Sequence, residues 1–312
     1  MVSFIMSGIR KKLHQMIMHA TENLKSGGAA MRIGIIGAGR VGCSIGKYLN
    51  VAGIPVTGYY SKSVESAQEA AHFTGTMVFD NIRDIVSASD TLFIATPDDR
   101  IVEVWDCIAE NSIQNKIICH FSGSLSSVVF SGIEETGASG CSIHPMLAFN
   151  NRFSSYKQLN NALFTIEGMD KAVSSIKNMF EDMGNKVFTM KSEEKVRYHA
   201  AASVVSNQMI ALYQIGIDSL VQCGFCTEDA EVLVAPLVSG NVNAFLKSGS
   251  KSALTGPVER NDIHTVEKHL RVLSGDDREI YRLLAKRLVN IAEDKNRNRD
   301  YSGMRRILEK EG

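Results

Sequence analysis

Three things are missing from this chain of 312 residues, and each absence excludes a class of function. Net charge is missing: Lys plus Arg and Asp plus Glu both number 34, so no basic field marks a nucleic-acid partner. A long apolar run is missing: no stretch approaches the roughly 20 residues that span a bilayer, which excludes a membrane helix. Paired cysteine motifs are missing as well. Of six cysteines, Cys223 and Cys226 form the one close pair, with no second pair to complete a zinc site. The composition predicts reduced, packing thiols in a cytoplasmic protein. No internal repeat or low-complexity tract occurs, and the length allows two domains.

What is present begins with a glycine turn. Gly37-Ala38-Gly39-Arg40-Val41-Gly42 follows the apolar run Met31 to Ile36 and opens a helical pattern through Leu49. Strand, glycine turn and helix in that order form the dinucleotide-binding fingerprint in its required context. Gly37 permits the tight turn, Gly39 lets the backbone approach a pyrophosphate, and Gly42 lets the helix pack on the strand. The helix N-terminus then offers free N–H groups and a positive dipole end to the phosphates.

The end of the second strand selects the cofactor. Residues 55–60 lead into Ser61-Lys62-Ser63, and no carboxylate occurs before Glu65. An NAD site carries Asp or Glu there to hold the ribose 2′-hydroxyl. A cation flanked by two hydroxyls, with Arg40 as a second cation, suits a 2′-phosphate, so the expected cofactor is NADP.

Along the chain, strand-like runs near 31–36, 55–60, 76–79, 90–95, 116–120 and 139–143 alternate with helical patterns at 40–52, 63–73, 81–88, 99–110 and 124–134. That alternation predicts βαβ units and an α/β, doubly wound, mostly parallel Rossmann sheet. Strands at 162–167 and 185–189 flank a helix near 170–183 and extend the sheet. From Ser192, a predicted N-cap, strand signals stop. A long helix is expected to about Cys223, then helices near 227–247, 262–274 and 276–294, then a fraying polar end from Lys295. The predicted organisation is a poorly ordered leader over 1–30, a nucleotide domain over 31–190 and an all-helical domain over 191–312.

In open α/β sheets ligands bind beyond the carboxyl ends of the strands. The loops placed there are Ala95-Thr96-Pro97-Asp98-Asp99, His120-Phe121-Ser122-Gly123-Ser124 and His144-Pro145-Met146. In the helical half, Lys195 and His199 are four residues apart and share a helical face, with Ser206 near the same line and Asn207 to its side. A lysine in a first helical turn feels the positive dipole end, which favours its neutral form and suits proton transfer near neutral pH. Leu254 to Asp262 contains a rigid Gly256-Pro257 turn that presents Thr255 and Arg260, the latter able to clamp a carboxylate.

These segments together resemble the Rossmann-like family whose C-terminal half is catalogued as domain of unknown function 2520. The resemblance covers Met31 to about residue 290. It is carried by the glycine turn, Ala95 to Asp99, His120 to Ser124, Ser142-Ile143-His144-Pro145, Lys195 to Ala202, Ser206-Asn207 and Leu254 to Asp262. The family is similar in layout to ketopantoate reductases, β-hydroxyacid dehydrogenases, pyrroline-5-carboxylate reductases and deazaflavin-dependent NADP reductases. In the hydroxyacid and ketopantoate branches a Lys, and an Asn one turn later, line the site; here His199 stands in place of that Asn. The resemblance implies an NADP-dependent oxidoreductase for a small carboxylated carbonyl or imine. Lys195 would be the proton donor, His199 or His144 the orienting group, and Ser122 and Asn207 hydrogen-bonding partners. Ketopantoate reduction is a more specific alternative, and an NADP-binding sensor or scaffold without turnover is a rival from another class. A homodimer is implied through the helical half, where Val204, Val205, Ile210, Leu212 and Ile215 are surplus apolar residues.

Overall fold

A computed structural model describes residues 31–309; the leader expectation for 1–30 lies outside them. Among the described residues eight strands form one sheet in the order β3-β2-β1-β4-β5-β6-β7-β8. They are β1 Ile33–Ile36, β2 Val56–Tyr60, β3 Met77–Val78, β4 Thr91–Ile94, β5 Ile117–His120, β6 Ser139–Pro145, β7 Leu163–Gly168 and β8 Lys186–Thr189. All pairings are parallel except β6 with β7. The first six strands follow the doubly wound order, with the switch in winding direction between β1 and β4.

Five helices accompany the sheet: α1 Arg40–Val51, α2 Val64–Thr74, α3 Ile82–Ala88, α4 Ile101–Ala109 and α5 Asp170–Asp182. Each buries one apolar stripe. Cys43, Ile45 and Leu49 of α1 join Ile33, Ile35, Phe93, Cys119, Cys141 and Ile143 on one face. Ile101, Trp105 and Ile108 of α4 join Ile36, Leu92, Ile94 and Ile118 on the other. Because strand residues alternate between faces, burial on both sides turns these strands into near-continuous apolar runs.

The segment at 124–134 departs from the helix its pattern predicts. It forms two short 3₁₀ turns, Ser127–Val129 and Ile133–Thr136. The Ser122 hydroxyl takes the N–H groups of Ser124 and Leu125, and the Glu167 carboxylate takes both the N–H and the hydroxyl of Ser127. Side-chain acceptors of this kind compete with a helical ladder.

The long helix expected from Ser192 is also divided. A 3₁₀ turn at Ser192–Glu194 leads into α6, Lys195–Val205; a turn at Ser206, with φ −117° and ψ −75°, separates it from α7 over Asn207–Gln222. Ser192 does not cap: its hydroxyl donates to Glu167. The Ser206 hydroxyl donates to Asn207 Oδ1, so the break carries local side-chain bonding.

The described chain divides into two compact units after Ala202. The first holds the sheet together with most of α6. The second contains α7, α8 Thr227–Ala253, α9 Ile263–Val272, α10 Gly275–Lys295 and α11 Ser302–Glu309. Its core gathers Val258, Val266, Leu270, Val289, Tyr301, Met304 and Leu308. The polar end expected to fray is therefore ordered. α11 buries Met304 and Leu308, and Lys295, Arg299 and Tyr301 bond the carbonyls of Leu254 and Glu259. All six cysteines are free, and the Cys226 thiol caps α8 by accepting from the Asp229 N–H. Among the described residues no helix is long and apolar enough to cross a membrane, and no cluster of three or more His, Cys, Asp or Glu could hold a metal ion.

Candidate active site

The glycine turn joins β1 to α1 at the carboxyl edge of the sheet. Gly37 has φ +106°, and a Cβ there would lie 2.7 Å from the Ala95 carbonyl carbon, so β1 and the loop after β4 pass closely. A Cβ on Gly42 would lie 2.0 Å from the Gly37 carbonyl oxygen; only glycine lets α1 start so near the strand. A Cβ on Gly39 would meet nothing within 4 Å, so the turn's outer surface is open. Ala38 is buried, whereas Gly39 and Arg40 are exposed and Val41 is half-buried.

These features fit a dinucleotide. The N-terminus of α1 has no side-chain cap, leaving its first-turn N–H groups free for a phosphate. Among the described residues the Thr96 hydroxyl oxygen, beside the Gly37 turn, is buried without a hydrogen-bond partner, which suits a site that takes up a polar group. Pro97 follows it, exposed, at the start of the turn into α4. Ser61, Lys62 and Ser63 stand just beyond β2, whose last carbonyl, Tyr60, accepts from the Gly37 N–H. Lys62 is exposed. Ser63 has a structural duty: its oxygen caps α2 by accepting from the Ser66 N–H, while its hydroxyl donates to Glu65.

Further along the same edge, the loop after β5 is tied to the loop after β4. The hydroxyls of Ser122 and Ser124 both donate to Asp98, at 2.7 and 2.8 Å. His120 is fully buried below them. Its Nε2–H donates to the Ser126 carbonyl and its Nδ1 accepts from the Ser122 N–H. Burial pushes its pKa down to about 4. The ring is a neutral brace for the loop.

Strand β6 turns Cys141 and Ile143 into the core and presents Ser142 and His144 on the opposite face. Register places Glu167 opposite Ser142 and Thr165 opposite His144 on β7. Helix α6 lies over this polar stripe. Lys195, 1% exposed, donates from Nζ to the Ser142 oxygen at 2.7 Å. Its ammonium also sits 5.9 Å from the Tyr198 ring centre. Burial lowers its pKa to about 8, against the opposing pull of Glu167, Cys141 and Asp98.

One turn on, Tyr198 Oη lies 2.8 Å from His144 Nδ1. The His144 and His199 rings meet edge to face, with centroids 6.0 Å apart. Burial first, then the charges of Lys195 and His199, lower the His144 pKa to about 4. Both imidazoles face Gly123: a Cβ there would lie 2.5 Å from His199 Nδ1 and 2.9 Å from His144 Nε2. His199 Nδ1 is buried and has no partner.

The first unit therefore brings Ser122, His144, Lys195 and His199 to one end of β5 and β6. Asn207, Thr255 and Arg260 belong to the second unit, where Thr255 and Arg260 are exposed on the turn before α9. Sequence reasoning gave Ser142 and Tyr198 no role beyond the segments that carry the resemblance, passed over Asp98 as a loop anchor, and missed Glu167 altogether. One signal was available: Glu167 is an acid that directly follows the mostly apolar run Leu163 to Ile166 within one strand pattern, an expensive placement unless it is bonded.

Comparison with known proteins bears on this arrangement. A Rossmann-like domain model matches residues 18–145, and the model for domain of unknown function 2520 matches residues 162–288. Protein TM1727 of Thermotoga maritima has a similar structure, with a TM-score of 0.69 at 25% identity over 85% of this chain and 99% of that one. A reductive aminase of Aspergillus terreus, in complex with NADPH and ethyl-5-oxohexanoate, gives 0.62 at 14% identity over 89% of this chain and all (100%) of that one. A pyrroline-5-carboxylate reductase of Coxiella burnetii gives 0.54 at 18% identity, covering 86% and 99%. No curated protein matches the chain in sequence. Residues 18–145 thus match a Rossmann-like domain and residues 162–288 a domain of unknown function 2520, and the described chain has the fold of these solved reductases.

Proposed function

We propose that this protein is an NADP-dependent oxidoreductase that transfers a hydride to or from a small carboxylated carbonyl or imine. The observation that carries the proposal is the meeting of two imidazoles, from β6 and α6, over Gly123 at the edge that bears the glycine turn. Gly37 to Gly42, Thr96 and Pro97 would hold the pyrophosphate and the adjoining ribose, while Ser61, Lys62, Ser63 and Arg40 would meet the 2′-phosphate. Bound NADPH would supply the hydride; the substrate oxygen or nitrogen then needs a proton.

In this reading the Lys195 amine, with its pKa near 8, is the source of that proton close to neutrality. Its burial and its bond to Ser142 hold it in one place. His144, fixed by Tyr198, and His199, with an unused Nδ1, orient the substrate. Ser122, anchored on Asp98, sets the floor of the site. Asn207, Thr255 and Arg260 are proposed as substrate-binding residues, Arg260 for a carboxylate. A homodimer built through the helical half completes the proposal.

The deciding experiment is NADPH oxidation, followed by absorbance, against 2-oxo acids, ketopantoate among them, and cyclic imines. Turnover with a member of either class supports the reading. Tight NADPH binding with no turnover across both classes turns it toward a sensor.

A further inference from the structure

Glu167 has no role in the proposed chemistry, yet it is a nearly fully buried acid, 1% exposed, on β7 beside the edge strand β8. Its carboxylate accepts from the Ser127 N–H and hydroxyl, each at 2.8 Å, and from the Ser192 hydroxyl. Ser127 lies in the loop that follows the Ser122–Ser124 turn, and Ser192 begins the turn that delivers Lys195. In the strand register Glu167 stands directly opposite Ser142, whose oxygen accepts from Lys195. One carboxylate thus ties down both segments that approach the amine and places a negative charge beside it.

We infer that Glu167 is a positioning residue for Lys195: it clamps the entry to α6 and supplies the counter-charge that keeps a buried amine protonated. This deepens the proposed function and rests on its reading of Lys195 as the amine of the site. The groups around Lys195 are Ser142, its hydrogen-bond partner, and His144 from β6, His120 from β5, Asp98 from the loop after β4, Glu167 from β7 and Tyr198 from α6, with the Cys141 thiol acting from the other side of β6. Among the groups that raise the lysine's proton affinity, Glu167 acts most strongly. Burial without it would drive the amine toward its neutral form.

The test is NMR titration of isotope-labelled lysine side chains, with the Lys195 signal assigned by its absence in Lys195→Met. In Glu167→Gln the Lys195 midpoint should fall by about one pH unit or more. In Glu167→Asp, which restores the charge, it should return most of the way to the wild-type value. A folded Glu167→Gln protein with an unmoved Lys195 midpoint overturns the inference. Should Glu167→Gln not fold, a second measurement compares Glu167→Gln/Lys195→Met with Lys195→Met in urea unfolding. Removing both charges together should then give a folded protein; a double variant that also fails to fold counts against the pairing. None of these readouts uses turnover, so an enzyme without activity on the substrate panel would unseat the functional reading and leave this inference standing.

Discussion

The two units differ in how fully they satisfy themselves. In the sheet unit the largest side chains are sealed: Trp105, Phe93, Phe164 and Phe180 are at most 2% exposed, and the buried acid and lysine are each bonded. In the second unit α9, α10 and α11 close a small core, but α7 buries no residue and α8 buries only Ala230. Ile210, Val232, Leu237, Phe245 and Leu246 are each more than half exposed. A single copy therefore has a finished Rossmann-like sheet unit and an unfinished helical pair. The difference teaches where a second copy would act. An apolar surface on this scale marks an interaction site, and the proposed homodimer would cover it.

The largest effect is expected in the finished unit. Lys195→Met should lower kcat by about 10²–10⁴ while sparing NADPH affinity. It should also remove the alkaline limb of the pH profile, since the wild-type amine titrates near 8. Near-normal kcat would move the acid role to His144. Gly123→Ala adds one carbon, 2.5 Å from His199 Nδ1, and must displace both imidazoles. Misplacement on that scale costs about 10²-fold in kcat. Cofactor titration should stay unchanged; a variant with wild-type kcat would show that the imidazole pair plays no part in turnover.

Cofactor choice comes next. Replacing Lys62 by Glu should weaken NADPH binding by roughly 1.5–3 kcal/mol and leave NADH binding nearly untouched. A wild-type preference for NADH would refute this reading of the β2 end.

For the unfinished unit, Leu237→Asp places a charge on the exposed apolar face of α8 and should convert a dimer to monomers in light scattering. The expected cost is about 1–3 kcal/mol of assembly, with NADPH affinity retained. A wild-type protein that is monomeric at micromolar concentration would leave the α7–α8 surface without a second copy to cover it.

The smallest effect separates the two units by acid. Burial lowers the pKa of His120 and His144 from 6.5 to about 4. Their folded values lie below the unfolded one, so the stability present above pH 6.5 is lost as pH falls toward 4. Over that window the unfolded chain takes up the protons and the fold does not. His120→Asn should flatten the slope of urea-unfolding stability by about 1–2 kcal/mol across that range. An unchanged slope would show that the buried ring is not what titrates.

Much of the fold was legible because it rests on local pattern. Alternating apolar runs and helices specified the strands through β6, and the sheet positions of β7 and β8. Glycine spacing marked the turn at Gly37 to Gly42. The errors share one cause. At 124–134 and at Ser206 the helical periodicity is real, but side-chain groups compete with the ladder: the nearby Ser122 hydroxyl and the distant Glu167 carboxylate take backbone N–H groups in the first, and a local Ser206–Asn207 bond accompanies the break in the second. The polar end after Lys295 looked solvated, yet its side chains bond carbonyls at Leu254 and Glu259, some 40 residues earlier in the chain.

By itself, then, the sequence determined the α/β class, the dinucleotide turn and the four-residue spacing that puts Lys195 and His199 on one helical face. These depend on side-chain periodicity and on glycine's missing Cβ, which are properties of short segments. Only the tertiary structure decided that Lys195 is buried on Ser142, that His120 is a neutral brace while His144 faces Gly123, and that Glu167 stands beneath the amine. Those outcomes depend on the antiparallel register of β6 with β7 and on α6 lying over it. Register pairs residues far apart in the chain, and the cost of burying a charge is known only once its partner is in place.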